Sequence, residues 1–224
     1  MASSPPANSL TALQKELLEA FFDREKRFFL TGGGALAGFY FGHRTTDDLD
    51  FFSPPGPSLD DAQRALEDAA TSCGATTKAV RSFQEFRRLV ASRGDEQCIV
   101  DLVIDRAPAI EPQKASFGGL RVDTLREIAA NKVCALIGRS EIKDLVDFER
   151  LVRSGIELEQ ALADAQRKDA GADPGTLAWV LDQIAIGPEA RLPGGVPPER
   201  LTAFRDDLVK VLRALALRDV PRRE

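Results

Sequence analysis

The chain has 224 residues, with 30 Lys and Arg against 35 Asp and Glu and a formal net charge of −5. That length suits one large domain or two small ones with a sizeable apolar core. The acidic balance excludes a chain coated for general nucleic-acid binding, so any polyanion would need a local basic patch. The three cysteines, Cys73, Cys98 and Cys134, form no CxxC pair, and an odd count fits no closed disulfide framework. They read as ordinary thiols of a reducing cytoplasm. The start, MASSPPANSL, has neither the basic beginning nor the apolar stretch of a signal peptide. No apolar run approaches the roughly 20 residues a membrane helix needs. The expectation is a soluble, cytoplasmic protein with no membrane contact.

Residues 1–8 are expected to fray, and 10–22 carry the apolar stripe of a helix. Phe28–Thr31 reads as a short buried strand ended by Gly32-Gly33-Gly34, with a helix from Ala35 to Phe41 directly after it. Asp48–Ser53 reads as a second strand, stopped by the prolines at 54, 55 and 57. Ser58 is placed to cap a helix reaching Ala70. Three strand-like runs follow, 75–82, 85–92 and 97–105, the last two joined by the turn residues Ser92–Asp95. From Thr124 the pattern is helical, with a capping box at Thr124–Glu127, a stop at Gly138 and a new cap at Ser140. Residues 155–219 read as helices broken at 171–174 and 187–198. Strands early and helices late imply an α+β domain followed by a helical C-terminal region.

Three groups of residues carry chemistry. Asp48 and Asp50 share one strand face, while Leu49 and Phe51 point to the other. Two adjacent carboxylates repel unless a cation lies between them, and oxygen donors suit Mg²⁺ or Mn²⁺ better than zinc. Gly32 and Gly33, at a strand-to-helix turn, let backbone N–H groups approach a phosphate, although no Walker A lysine follows. The second group is Asp101 in the apolar run Ile99–Asp105. A charge there is costly unless it sits on an open face, pairs with an arginine or completes a metal shell; Asp105, nearer the strand end, reads as structural. The third is helical. Lys132 falls seven residues after Leu125 and four before Leu136, within an apolar stripe, where it either snorkels or meets an anion such as a triphosphate. Asp144 and Asp147 follow at i,i+3 on the next helix, on the face of Phe148 and Leu151. A basic run, Lys78, Arg81, Arg87, Arg88 and Arg93, opposed locally only by Glu85, is either a solvated sheet face or a polyanion patch. His43, the only histidine, has no catalytic pattern around it, and Trp179 reads as core of the C-terminal helices.

A glycine pair followed at this spacing by an acid-apolar-acid strand and a third strand acid resembles the polymerase-β-like nucleotidyltransferase superfamily. More narrowly, Leu30–Ala37, His43-Arg44 before Thr46–Phe52, Asn131-Lys132 with Ala135-Leu136 and Gly138-Arg139, and Lys143–Asp147 resemble the abortive-infection AbiEii/AbiGii toxin family of toxin–antitoxin systems. The resemblance covers roughly residues 10–155 and continues more loosely beyond. It implies a polymerase-β-like core, a mixed sheet with flanking helices over 1–122, and a helical domain over 123–224 that completes the nucleotide site. It also implies metal-dependent nucleotidyl transfer from an NTP, with tRNA the acceptor in some relatives and an antitoxin protein as partner. Gly32 and Gly33 would seat the triphosphate, Asp48 and Asp50 would hold Mg²⁺ (or Mn²⁺), and Asp101 would be the third metal-site acid and the candidate base. Lys132 and Asp144 match the family's later lysine and acid, at the nucleotide and the chemistry; Arg44 would join Lys132 on the triphosphate. Gly34 departs from the family, which more often has threonine or serine there. The alternatives are a non-catalytic nucleotide- or protein-binding module on the same fold, and transfer to a small molecule.

Overall fold

A computed structural model describes residues 9–218; the start expected to fray, residues 1–8, lies outside them. The chain divides into two compact units, one reaching Arg106 and including Pro112–Thr124, the other made of Ala107–Glu111 and the chain from Leu125.

The first unit is built on a seven-stranded mixed sheet. In chain order it contains α1 (Ala12–Arg24), β1 (Phe29–Thr31), the short α2 (Gly32–Ala35) running into a wider helical turn (Leu36–Phe41), and β2 (Asp48–Ser53). Then come α3 (Leu59–Ser72), β3 (Thr76–Ser82), β4 (Phe86–Arg93), β5 (Glu96–Ile104), β6 (Ala115–Phe117) and β7 (Leu120–Val122). The strand order is β3-β4-β5-β2-β1-β7-β6, with β2 parallel to β5 and antiparallel to β1. This puts Asp48 and Asp50 on a central strand.

Local chemistry explains the elements. Thr11 and Gln14 close a reciprocal capping box at the start of α1, and Ser58 caps α3 through the Asp61 N–H. Both helices pack on the same sheet face, which buries Leu49, Phe51, Leu89, Val100 and Leu102; Phe21 of α1 stacks on Phe51 at 4.5 Å between ring centres. The hairpin β6–β7 has no counterpart in the sequence expectations. Its signal is Gly118-Gly119, both at positive φ in a two-residue turn.

The second unit is helical: α4 (Leu125–Arg139), α5 (Ile142–Arg153), α6 (Leu158–Lys168), α7 (Pro174–Asp182) and α8 (Pro198–Arg218). Arg126 forks onto the buried Asp164 at 2.7 and 3.0 Å, tying α4 to α6, and Arg200 forks onto Glu149 at 2.8 Å twice, tying α8 to α5. Two local expectations are corrected here, the cap of α5 and the place of Trp179. The cap of α5 is Glu141, and Ser140 instead takes a left-handed turn with φ 53°. The carboxylate of Glu127 accepts from the backbone N–H groups of Ile110 and Glu111 and pairs with Lys168. Trp179 is 66% exposed rather than core, because Leu177, Ala178 and Leu181 form the inward stripe of α7. Among the described residues no helix is long and apolar enough to cross a membrane.

Candidate active site

In the first unit the pairing register draws the site. Thr31 of β1 pairs with Asp50 of β2, Asp50 with Asp101 of β5, Asp101 with Arg88 of β4, and Arg88 with Arg81 of β3. Directly paired residues project from the same face, so these five side chains form one row across the sheet. Asp48 lies on the same face one step along β2, opposite Ile99. Asp48 and Asp50 are half-buried there while Leu49 and Phe51 are in the core, the alternation that the sequence implied.

The glycine turn abuts this row. Gly32 has φ +64°, and a Cβ built on it would stand 2.3 Å from Asp50 Oδ2. Glycine is therefore required twice, for the left-handed backbone and for the carboxylate lying against it. The helix begins at Gly32 itself, earlier than expected, so Gly32 and Gly33 form its first turn; Gly32 is half-buried and Gly33 buried. A Cβ on Gly34 would meet the Asp48 carbonyl at 3.2 Å and Leu49 at 3.4 Å, so this turn packs closely on β2. Replacing Gly32 by Ala is expected to leave the unit folded but cut turnover by about 10²-fold, by displacing Asp50. Steady-state kinetics with circular dichroism as the folding control would check this.

Each acid has identifiable company. Thr46 Oγ1 donates to Asp48 Oδ1 at 2.7 Å. Asp101 was open to three situations, and it occupies the arginine pair: Arg88 Nε and Nη2 donate to its Oδ1 and Oδ2 at 2.7 and 2.6 Å. At the other end of the row, Thr31 donates to Asp123 at 2.6 Å, and Asp123 pairs with the buried Lys114 at 2.6 Å. Lys114 also lies over the Phe29 ring at 4.2 Å. Nothing in the spacing marked Asp123 or Lys114, because they reach β1 through the unexpected hairpin. Arg44, expected at the triphosphate, is buried, with Nη1 donating to its neighbour's carbonyl at 2.9 Å.

The basic run largely finds acids from elsewhere in the chain. Arg87 meets Asp60 at 3.0 Å, and Arg93 pairs with Glu16 and Glu96. Lys78 and Arg81, on the edge strand β3, are exposed and enter no ion pair among the described residues. Cys98 is a core thiol, pushed up to about 12 by burial.

In the second unit Lys132 neither snorkels nor stands alone. It is buried, with Nζ 2.7 Å from both Asp144 Oδ1 and Asp147 Oδ2. Arg139 completes the cluster by donating to both oxygens of Asp144 at 2.7 and 2.9 Å. Burial alone would lower the Lys132 ammonium, but the charges of Asp147 and Asp144 outweigh it and hold it above its usual range. Burial alone would raise Asp144, yet Arg139 and Lys132 hold it below the usual carboxylate range.

Hard oxygen donors on one strand face fit a divalent cation at Asp48 and Asp50. Asp101 is their neighbour in register, with both oxygens already accepting from Arg88. Among the described residues no three His, Cys, Asp or Glu side chains gather closely enough to hold a metal ion by themselves.

The fold is shared with solved structures. A putative nucleotidyltransferase from H. pylori superposes with a TM-score of 0.54 at 20% identity, covering 91% of this chain and 94% of that one. JHP933 from Helicobacter pylori gives 0.53 at 19% identity, covering 91% and 92%. No curated protein sequence matches the chain. The family model described as "Nucleotidyl transferase AbiEii toxin, Type IV TA system" matches residues 16–220, nearly the whole chain. The α+β fold is the one that the motif resemblance implied, and the chain belongs to the AbiEii nucleotidyltransferase toxin family.

Proposed function

We propose that the chain transfers a nucleotidyl group from an NTP to a hydroxyl of RNA, tRNA being the acceptor class, at the face carrying Asp48 and Asp50. The observation that carries this reading is the cross-sheet row of Asp50 and Asp101 against the Gly32 turn. In the transfer, the acceptor oxygen bonds to the α-phosphorus, the bond to the β-phosphate breaks, pyrophosphate leaves and the hydroxyl proton passes to solvent. Gly32 and Gly33 supply a turn open enough for phosphate oxygens to approach backbone N–H groups. Asp48 and Asp50 would hold a divalent cation, Mg²⁺ or Mn²⁺, whose charge offsets that of the triphosphate as pyrophosphate departs. Lys132 and Asp144 are assigned to the nucleotide and the chemistry by the family pattern alone; within the second unit they are buried and paired with each other. The family's type IV toxin–antitoxin character makes an antitoxin protein the expected partner, and the cytoplasm, which supplies NTPs, the expected compartment.

RNA is favoured as acceptor by the exposed Lys78 and Arg81 on the face of the acids, beyond Arg88 in the sheet. Incubating the full chain with each α-³²P-labelled NTP, Mg²⁺ and bulk tRNA should place label on RNA. Label on protein or on neither polymer would reject the RNA acceptor. In the same assay, Lys78→Glu with Arg81→Glu should raise KM for RNA about tenfold and weaken its salt dependence, with KM for NTP unchanged.

A further inference from the structure

Arg88, in the middle of the row, has no role in the reaction just proposed. Its backbone is the direct cross-strand partner of Asp101, and its guanidinium fills both oxygens of that carboxylate at 2.7 and 2.6 Å. This is no loose surface contact, since the Asp101 side chain is 8% exposed and that of Arg88 34%. Arg88 is held charged first by the Asp101 hydrogen bonds, against burial, and then by the charges of Asp101, Asp48 and Asp50. It therefore lies within the field of all three acids.

We propose that Arg88 is the resident cation of this site, standing where a two-metal transferase would hold its second divalent ion, so that the enzyme works with a single divalent ion at Asp48 and Asp50. The inference rests on the transferase reading above. Two-metal sites place their ions about 3.5–4 Å apart, bridged by shared carboxylates. A second ion on Asp101 would need to approach an oxygen to about 2.0–2.1 Å while that carboxylate still holds the guanidinium at 2.6 and 2.7 Å, setting two cations against each other on one acid. Arg88 Nη1 donates to no group among the described residues, so the same guanidinium retains a donor for a phosphoryl oxygen.

The test is the electron paramagnetic resonance of Mn²⁺ bound to the full chain with an α,β-methylene nucleoside triphosphate, each of the four bases in turn. Subtraction of a protein-free titration removes the Mn²⁺–nucleotide signal. The wild-type protein should give an isolated Mn²⁺ spectrum with one ion per chain. Arg88→Met should bind two and give an exchange-coupled pair. An exchange-coupled pair in the wild-type protein, which needs no variant to fold, overturns the proposal, as does a folded Arg88→Met that still binds one. Asp50→Asn separates the two levels: if it binds Mn²⁺ as the wild type does, the Asp48/Asp50 reading itself fails.

Discussion

Asp50→Asn is expected to abolish nucleotide transfer, a loss of at least about 10³-fold in kcat, while the protein keeps its fold and thermal midpoint. The substitution is nearly isosteric, and Asp50 is half-buried on the sheet face opposite the core that α1 and α3 cover, so no packing is lost. What disappears is a hard oxygen donor and one negative charge beside Asp48 and against Gly32. Transfer assayed under saturating NTP, with circular dichroism alongside, reads both halves of the expectation. Wild-type turnover by the variant would remove Asp50 from the chemistry and return the row to an ordinary sheet surface.

Lys132→Ala is the second large expectation, and it concerns stability. The ammonium lies 2.7 Å from two carboxylates that are wholly buried. Removing it leaves Asp144 and Asp147 facing each other without their shared cation, for a loss of about 3–5 kcal/mol. An exposed pair would be worth no more than about 1 kcal/mol, so the urea midpoint decides between a brace and a surface contact. The pH dependence follows from the two shifts. Asp144 is held below its ordinary 3.8, so its contribution is present above that value and is lost as pH falls through the depressed folded value. Lys132 is held above its ordinary 10.5, so its contribution is complete below that value and is lost as pH rises through the raised folded value. The wild-type cluster should therefore contribute uniformly between those limits. In the folded fraction of Lys132→Ala, the family-derived role predicts a raised KM for NTP; an unchanged KM and kcat would leave Lys132 as a brace alone.

The parts of this molecule that could be read from the sequence are those set by neighbours in the chain. Strand β2 was legible because acid-apolar alternation ends at a proline cluster, and α3 because Ser58 offers a cap ahead of an acidic first turn. The mixed α+β architecture followed from the segregation of strands and helices. Features set by register or by distant segments were not legible. Arg88 stood out only as one member of a basic run, since its bond to Asp101 depends on how β4 aligns with β5. The hairpin β6–β7 consists of three-residue strands, too short for periodicity to register, and it carried Lys114 and Asp123 out of view with it. Lys132 is anomalous in the sequence itself, but its two carboxylates come from a second helix whose acid-bearing face is buried as deeply as its apolar one.

The central claim, that Asp48 and Asp50 mark a nucleotidyl-transfer site, is tested most directly by the fate of the triphosphate. With double-labelled NTP, ³²P at α and ³³P at γ, the account predicts that α label joins the acceptor while γ label leaves as pyrophosphate, one for one, and that Asp50→Asn stops both. Release of γ label as free phosphate with α label left on nucleoside diphosphate, or no consumption of any NTP, would contradict it.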